Sequence, residues 1–205
     1  MSKANSKEFK VGLNVIGFFI DDCQTDNLYF ASTPRHKSHK AQLALNAMGH
    51  EQATSLGLCD TLLDGLQPLK GQMTIGAYDH GAFLSDYRFL EHLANGHLER
   101  LVAMLKPVMD LYSESRSLAW HVYDKANAYG FAYFENGNLI RAMAGNELQY
   151  IVTNYGNPLP EESNAHELFT PVVGVESTLA LTSRFWGDRS RTFLNEKLEL
   201  EIFEL

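Results

Sequence analysis

The hydrophobic pattern is clearest in the segment "NAYGFAYFENGNLIRAMAG", residues 127–145, where two apolar runs flank Asn136-Gly137. This dipeptide favours a type I′ turn, because asparagine and glycine tolerate the positive φ that both central residues need. We therefore predict a hairpin in which Phe134 faces Leu139. Both faces of the hairpin are largely apolar, which indicates central strands covered on both sides.

One charged residue, Arg141, interrupts the second apolar run. The predicted register places it opposite Ala132, in a layer covered by other side chains. A guanidinium buried there without a partner would cost several kcal/mol, so we expect an internal Asp or Glu to pair with it. The alternative is that Arg141 binds an anion.

Apolar positions spaced three and four residues apart predict helices in the rest of the chain. Four helices are predicted. The first covers residues 38–48, the second runs from residue 86 to Asn95-Gly96, the third begins near residue 97, and the fourth, the closing helix, covers residues 172–186. Pro107 lies inside the third of these helices and lacks the backbone N–H, so it predicts a kink or an early end.

Strands are predicted over residues 11–20, twice within residues 71–86, over residues 117–124, in the hairpin, and as an edge strand within residues 197–205. Residues 50–70 contain three breakers and predict broken helical turns. Together these elements indicate an α+β fold, a single-domain sandwich with a mixed, largely antiparallel sheet covered by helices. The domain would span residues 1–205, with residues 1–10 as a flexible tail.

Composition narrows the class of protein. A formal net charge of -8 argues against a broad nucleic-acid or anionic-membrane surface, because binding phosphates requires clustered Lys and Arg. The two cysteines, Cys23 and Cys59, have no CxxC spacing, so we read both as reduced thiols and expect a cytoplasmic location. The apolar run near the amino terminus is interrupted by Asn14 and followed by acidic residues, which is unlike a signal peptide.

The segments "YGFAYFENGNLIRAMAG", "GNPLPEE" and "VGVESTLALTSRFWG" together resemble an uncharacterised family of bacterial domains. Members share a YG(F/Y)A strand, a turn, an IR-containing strand, a G-x-PLPEE turn and a closing helix. The resemblance implies an α+β domain that acts alone in the cytoplasm, and it supplies no catalytic residue to transfer. The chain differs from that pattern in a polar insertion over residues 164–169 and in Ser and Thr within the closing helix.

Candidate catalytic or metal-ligating residues lie near the ends of two predicted strands. Asp79 and His80 end one strand, and His121 and Asp124 lie near the end of another, with Asp86 nearby. Imidazole and carboxylate together could hold a metal ion or form a general base with an orienting acid. The spacing matches no metalloprotease motif, and the alternative is that these residues serve in capping, turns and the core.

Two further clusters could bind ions. The basic run "RHKSHK", which contains Arg35 and Lys37, precedes a predicted helix and could meet phosphate at that helix N-terminus. A mobile solvated surface is the alternative interpretation. Asp21, Asp22 and Asp26 could hold a hard cation, but the calcium-loop pattern is missing, and a solvated turn is the simpler interpretation.

No nucleophile elbow, phosphate-binding loop or dinucleotide fingerprint is present in the sequence. We therefore expect a noncatalytic binding or protein-interaction domain. The alternative function is a metal-dependent hydrolase that uses Asp79, His80 and His121. We expect no cofactor and an unidentified protein or small-molecule partner, and a homodimer is left open.

Overall fold

The computed structural model describes residues 14–21, 34–59, 62–112, 114–123, 128–149, 151–162, 178, 181–182 and 199–205. In these residues nine strands form one open sheet, in the order β2-β9-β3-β4-β1-β5-β6-β7-β8. The strands are β1 Asn14–Asp21, β2 Thr54–Leu58, β3 Gln72–Ala77, β4 Gly81–Asp86, β5 Arg116–Tyr123, β6 Ala128–Glu135, β7 Asn138–Gly145, β8 Thr153–Tyr155 and β9 Glu201–Glu204.

Helices pack on one face of this sheet. They are α1 Ser38–Ala47, α3 Tyr87–Ala94 and α4 Leu98–Met109, while α2 Leu62–Gly65 is a single turn and Pro160–Glu162 forms a 3-10 turn. The apolar stripes expected from the sequence are buried against the strands, among them Leu45 of α1, Phe89 of α3 and Leu101 of α4. Asp86 caps α3 by accepting a hydrogen bond from the Arg88 N–H, as its position before the apolar stripe favours.

The opposite face of the sheet carries a second core that is rich in aromatic side chains. Phe19 stacks on Trp120 with ring centroids 6.1 Å apart, and it also contacts the ring of Phe83. Leu66 and Leu200, from segments outside the strands, are buried with these rings. The central strands β1, β4, β5 and β6 are thus covered on both faces, which explains their continuous apolar runs in the sequence.

The α+β class is confirmed, and so are α1, α3, α4 and both strands of the hairpin. The prediction of a mixed sheet is wrong for the described residues, because every strand pairing there is antiparallel. The predicted tail, residues 1–10, and most of the closing helix, residues 172–186, lie outside the described residues.

Three local predictions are corrected. Residues 54–58 form β2 rather than helical turns, and β9 lies between β2 and β3 rather than at an edge. The helix α4 continues past Pro107 to Met109, so of the predicted kink or early end the early end is wrong. None of the described helices is long and apolar enough to cross a membrane.

The hairpin turn is as predicted, but its register is not. Asn136 and Gly137 have φ values of 50° and 72°, and Phe134 pairs with Leu139. A bulge then shifts the strands, so that Tyr133 lies opposite Arg141. The bulge adds one residue to β7 and moves the following side chains to the other face, where Arg141 joins the aromatic core.

The predicted pairing of Ala132 with Arg141 is therefore wrong, and Ala132 lies opposite Ala142 instead. The extra residue of the bulge is Ile140, whose relative accessibility is 38%. Gly156 packs against the bulge with a φ of 76°, and a Cβ at that position would lie 2.1 Å from the Ile140 carbonyl oxygen. Only glycine fits this conformation and this contact.

Candidate functional site

The structure does not bring His80 and His121 together. His80 is exposed in the turn before Gly81. Gly81 of β4 and Arg116 of β5 both lie opposite Asp21 of β1, so they are at the same level of the sheet. His121 is five residues further along β5. Because a strand rises about 3.3 Å per residue, the backbone positions of the two residues are separated by about 16 Å along the strand direction. Asp124 lies outside the described residues.

His121 lies in the sheet beneath the helices, between Ile16 of β1 and Gly130 of β6. It is fully buried, and within the described part of the chain neither ring nitrogen has a hydrogen-bond partner. Burial lowers the pKa of His121 to about 3, because a charged imidazolium would lose its hydration. A Cβ on Gly130 would lie 2.7 Å from the His121 ring, so the glycine makes room for it.

Asp79 pairs with lysines from the basic run. Its carboxylate lies 3.1 Å from Lys37 Nζ and 3.4 Å from Lys40 Nζ. The hydrogen bond from Lys37 is the main cause that lowers the pKa of Asp79. Arg35, the other predicted anion ligand, is exposed. Asp79 of the predicted metal site and Lys37 of the predicted anion site thus pair with each other at the start of α1.

The other acidic candidates also have structural partners. Asp21 is buried and pairs with Arg116 at 3.0 Å, while Asp22 and Asp26 lie outside the described residues. No group of three or more His, Cys, Asp or Glu side chains that could hold a metal ion is found among the residues described.

Arg141 pairs with an internal carboxylate, as expected for a buried guanidinium. Its Nη2 donates to Glu162 Oε2 at 2.7 Å and its Nε donates to Glu162 Oε1 at 2.9 Å, with both side chains 1% exposed. Its Nη1 donates to Asn154 Oδ1 at 2.6 Å and to the Tyr155 carbonyl oxygen at 2.8 Å. Protein groups accept hydrogen bonds from Nε, Nη1 and Nη2 of the guanidinium, so Arg141 has a structural role here.

A serine, a histidine and a glutamate also meet beside β9. Ser55 Oγ donates to Glu201 Oε1 at 2.5 Å, and His36 Nε2 lies 2.9 Å from Glu201 Oε2. Burial opposes ionisation of Glu201, but hydrogen bonds from Ser55 and His36 hold its pKa below the ordinary value. His36 Nδ1 accepts the Ala77 N–H, so the imidazole cannot take a proton from Ser55. The cluster therefore lacks the order of a catalytic triad, in which histidine bridges the other two residues.

A cavity opens where α1 ends, α3 begins, and β3, β4 and β9 meet. Its volume is about 410 Å³, within the usual range for small-molecule sites, and we call it the Arg88 cavity. The residues that line it are His50, Lys70, Gly71, Asp86, Tyr87, Arg88, Glu91 and Leu205. A second cavity of about 180 Å³, beside Lys40 and Asp79, is smaller than most ligand sites.

A hydrogen-bonded chain fixes one wall of the Arg88 cavity. Asp86, which is 2% exposed, accepts hydrogen bonds from Arg88 Nε at 2.9 Å and Arg88 Nη2 at 2.5 Å. Arg88 Nη2 also donates to His50 Nε2 at 3.0 Å. Since arginine can only donate, His50 Nε2 is the acceptor, and the proton of the neutral ring is on Nδ1.

Burial and the neighbouring charge of Arg88 favour the neutral form of His50. Burial is the main cause that lowers the pKa of His50, the Arg88 charge lowers it further, and the Asp86 carboxylate opposes both. Within the described residues, neither Arg88 Nη1 nor His50 Nδ1 has a hydrogen-bond partner. The cavity wall therefore carries unpaired donors on side chains whose positions are already fixed.

Sequence analysis missed this site, apart from Asp86, because its residues come from separate turns and share no motif. The one local signal was Asp86 followed two residues later by Arg88 at the start of a predicted helix. That spacing suits a capping aspartate that also pairs with the arginine. The contributions of His50 and Lys70 depend on how α1 and β3 pack against α3.

A family model described as a family of unknown function, DUF6928, matches residues 18–165, more than two thirds of the chain. The chain belongs to this family. The predicted membership of an uncharacterised domain family is thereby confirmed. No curated protein and no solved structure matches the chain. The DUF6928 match covers the hairpin, the Arg141–Glu162 pair and the Arg88 cavity except Leu205.

The structure also explains the segments that carried the resemblance. Gly130 of the YGFA strand makes room for His121, and Arg141 of the IR strand pairs with Glu162 of the PLPEE turn. The backbone N–H of Leu159, in that turn, also donates to Glu162 Oε1 at 2.8 Å. These contacts lie inside the fold of the DUF6928 chain, apart from the residues that line the Arg88 cavity.

Proposed function

We propose that the chain is a noncatalytic binding domain that holds a small polar molecule in the Arg88 cavity. The observation that carries this proposal is the chain of hydrogen bonds from buried Asp86 through Arg88 to His50. It holds polar groups in place on the wall of a cavity of about 410 Å³. Groups fixed in advance lose little entropy on binding, which favours recognition of a ligand.

The same contacts support binding rather than catalysis. A general base needs a free lone pair within reach of the substrate proton. His50 Nε2 already accepts from Arg88, and both oxygens of Asp86 accept hydrogen bonds from Arg88. His50 and Asp86 are thus engaged in holding Arg88, and the carboxylate without a partner, Glu91, is exposed on α3. The metal-dependent hydrolase has no comparable support, since its histidines lie far apart.

Filling the cavity tests the proposal. Glu91 is exposed on α3 at the cavity wall, so Glu91→Trp places a large side chain where the ligand would lie. We expect a metabolite library to contain compounds that raise the melting temperature of the wild-type protein. At a concentration of 100 Kd such a ligand adds about 2.7 kcal/mol, or roughly 5–10 °C. This stabilisation should be lost in Glu91→Trp.

Glu99→Trp is the matched control, because Glu99 is an exposed glutamate on α4 that does not line the cavity. Ligands should stabilise Glu99→Trp as they stabilise the wild-type protein. The proposal is wrong if no compound stabilises the wild-type protein, or if the same compounds stabilise Glu91→Trp equally.

A further inference from the structure

The unpaired polar groups of the Arg88 cavity are mostly donors. Among the described residues, Arg88 Nη1, His50 Nδ1, the Lys70 ammonium and the Tyr87 hydroxyl have no hydrogen-bond partner. Against them stands one acidic side chain without a hydrogen-bond partner, Glu91, since both oxygens of Asp86 already accept from Arg88. A ligand that satisfies this set must offer several acceptor oxygens.

The charged groups of the cavity include one cation and one anion without a partner. Asp86 and Arg88 neutralise each other across their ion pair of 2.5 Å, which leaves Lys70 as an unpaired cation and Glu91 as an unpaired anion. Arg88 keeps Nη1 for a second acceptor, while Asp86 accepts from Nε and Nη2 and His50 accepts from Nη2. A fork fixed in this way suits a carboxylate or a phosphate, whose oxygens can accept from more than one N–H.

The remaining lining groups suit the body of such a molecule. Tyr87 and Leu205 are partly exposed, at 37% and 40%, and both offer apolar surface at the cavity. An aromatic ring can also contact a flat or apolar ligand without losing much side-chain entropy. Glu91 lies one helical turn after Tyr87 and can accept a hydrogen bond from a hydroxyl or amino group of the ligand.

We infer that the ligand of the Arg88 cavity carries an anionic head group, a carboxylate or a phosphate, bound by Arg88, His50 and Lys70. This inference rests on the proposed function and adds the chemical class of the ligand. The head group accepts from Arg88 Nη1 and His50 Nδ1, and Lys70 supplies the balancing charge. The body of the molecule lies against Tyr87 and Leu205.

Three aromatic probes of similar size test the inference. Phenyl phosphate and benzoate carry the two head groups, and benzylamine carries the opposite charge on the same ring. Each is titrated into ¹⁵N-labelled protein at low ionic strength while the amide signals of Gly71, Tyr87 and Arg88 are followed. We expect saturable shifts with one or both anions and none with benzylamine, and the stronger anion identifies the head group.

Lys70→Met removes the unpaired cation without disturbing a buried contact. It should weaken binding of the anion about fivefold, as expected for one exposed charge at low salt. Lys106→Met is the matched control, because Lys106 is an exposed lysine on α4 away from the cavity. It should leave the affinity for the anion unchanged. Raising the salt concentration should weaken binding of the anion to the wild-type protein.

The inference is overturned if benzylamine shifts the same amides as strongly as the anions, if no probe shifts them, or if Lys70→Met binds the anion as well as Lys106→Met does. The screen with Glu91→Trp decides the proposed function separately. Neutral or cationic compounds that stabilise the wild-type protein but not Glu91→Trp would keep the binding domain and overturn the anionic head group.

Discussion

Replacing Arg141 with methionine is expected to lower the free energy of unfolding by about 3–5 kcal/mol. The substitution leaves the Glu162 carboxylate, which is 1% exposed, without its cation in the aromatic core. It also removes the donors to Asn154 Oδ1 and to the Tyr155 carbonyl oxygen. Urea unfolding followed by circular dichroism measures the loss as a lower midpoint at constant slope.

Two controls separate the buried pair from a general effect of removing charge. Lys106→Met breaks an exposed i,i+4 pair with Asp110, and we expect a loss of about 0.5 kcal/mol or less. The double variant Arg141→Met, Glu162→Met removes both charges and should be more stable than either single variant. A loss below about 1 kcal/mol for Arg141→Met would contradict the account, because it would mean that Glu162 is not left buried and unpaired.

Acid is expected to destabilise the fold through His121. The folded-state pKa is about 3 and the ordinary value is 6.5, so the unfolded chain binds the proton more readily. The stabilisation from neutral His121 is therefore complete above about pH 6.5 and falls as the pH drops toward 3. The difference in pKa corresponds to as much as about 5 kcal/mol at the acid limit. Urea unfolding at a series of pH values from 7 to 3 measures this loss.

His121→Phe isolates that contribution from the carboxylates that also titrate in acid. The phenyl ring keeps a planar side chain beside Gly130 but cannot take up a proton. We expect the variant to lose less stability between pH 6.5 and 3 than the wild-type protein. At pH 7 it should be as stable or more stable, since two buried nitrogens without partners are removed. Parallel pH profiles for the two proteins would contradict a buried neutral His121.

Local chemistry explains which parts of the fold were predictable. The Asn136-Gly137 turn and the α3 cap at Asp86 depend on the backbone preferences of a few neighbouring residues. The register of the hairpin also depends on a bulge at Ile140, against which Gly156 packs from a segment after β8. Nothing within the hairpin sequence marks that contact, so the predicted pairing held only next to the turn.

The positions of β2 and β9 in the sheet also could not be predicted from the local sequence. All five residues of β2 are exposed, so this strand has no alternation of apolar and polar positions to detect. In β9 Phe203 is buried and Glu204 is exposed, but this difference does not reveal how many neighbours the strand has. Placement between β2 and β3 is a tertiary property, and an edge strand was the wrong interpretation.

For the candidate site, the sequence indicated residue types but not their partners. A buried arginine predicted a carboxylate partner, yet the choice of Glu162 required the 3-10 turn that follows β8. His50, Lys70 and Arg88 come from segments that meet only when α1 and β3 pack beside α3. A binding function could be proposed from the absence of catalytic motifs, but the cavity itself could be found only in three dimensions.

A crystal structure of the protein soaked with the tighter-binding anionic probe tests the central claim most directly. The account predicts density for the probe in the Arg88 cavity, with its oxygens within hydrogen-bond distance of Arg88 Nη1 and His50 Nδ1, and with Asp86 still holding Arg88. Density for the probe elsewhere, an empty cavity, or a His50 ring turned away from Arg88 would contradict the claim that this cavity is the binding site.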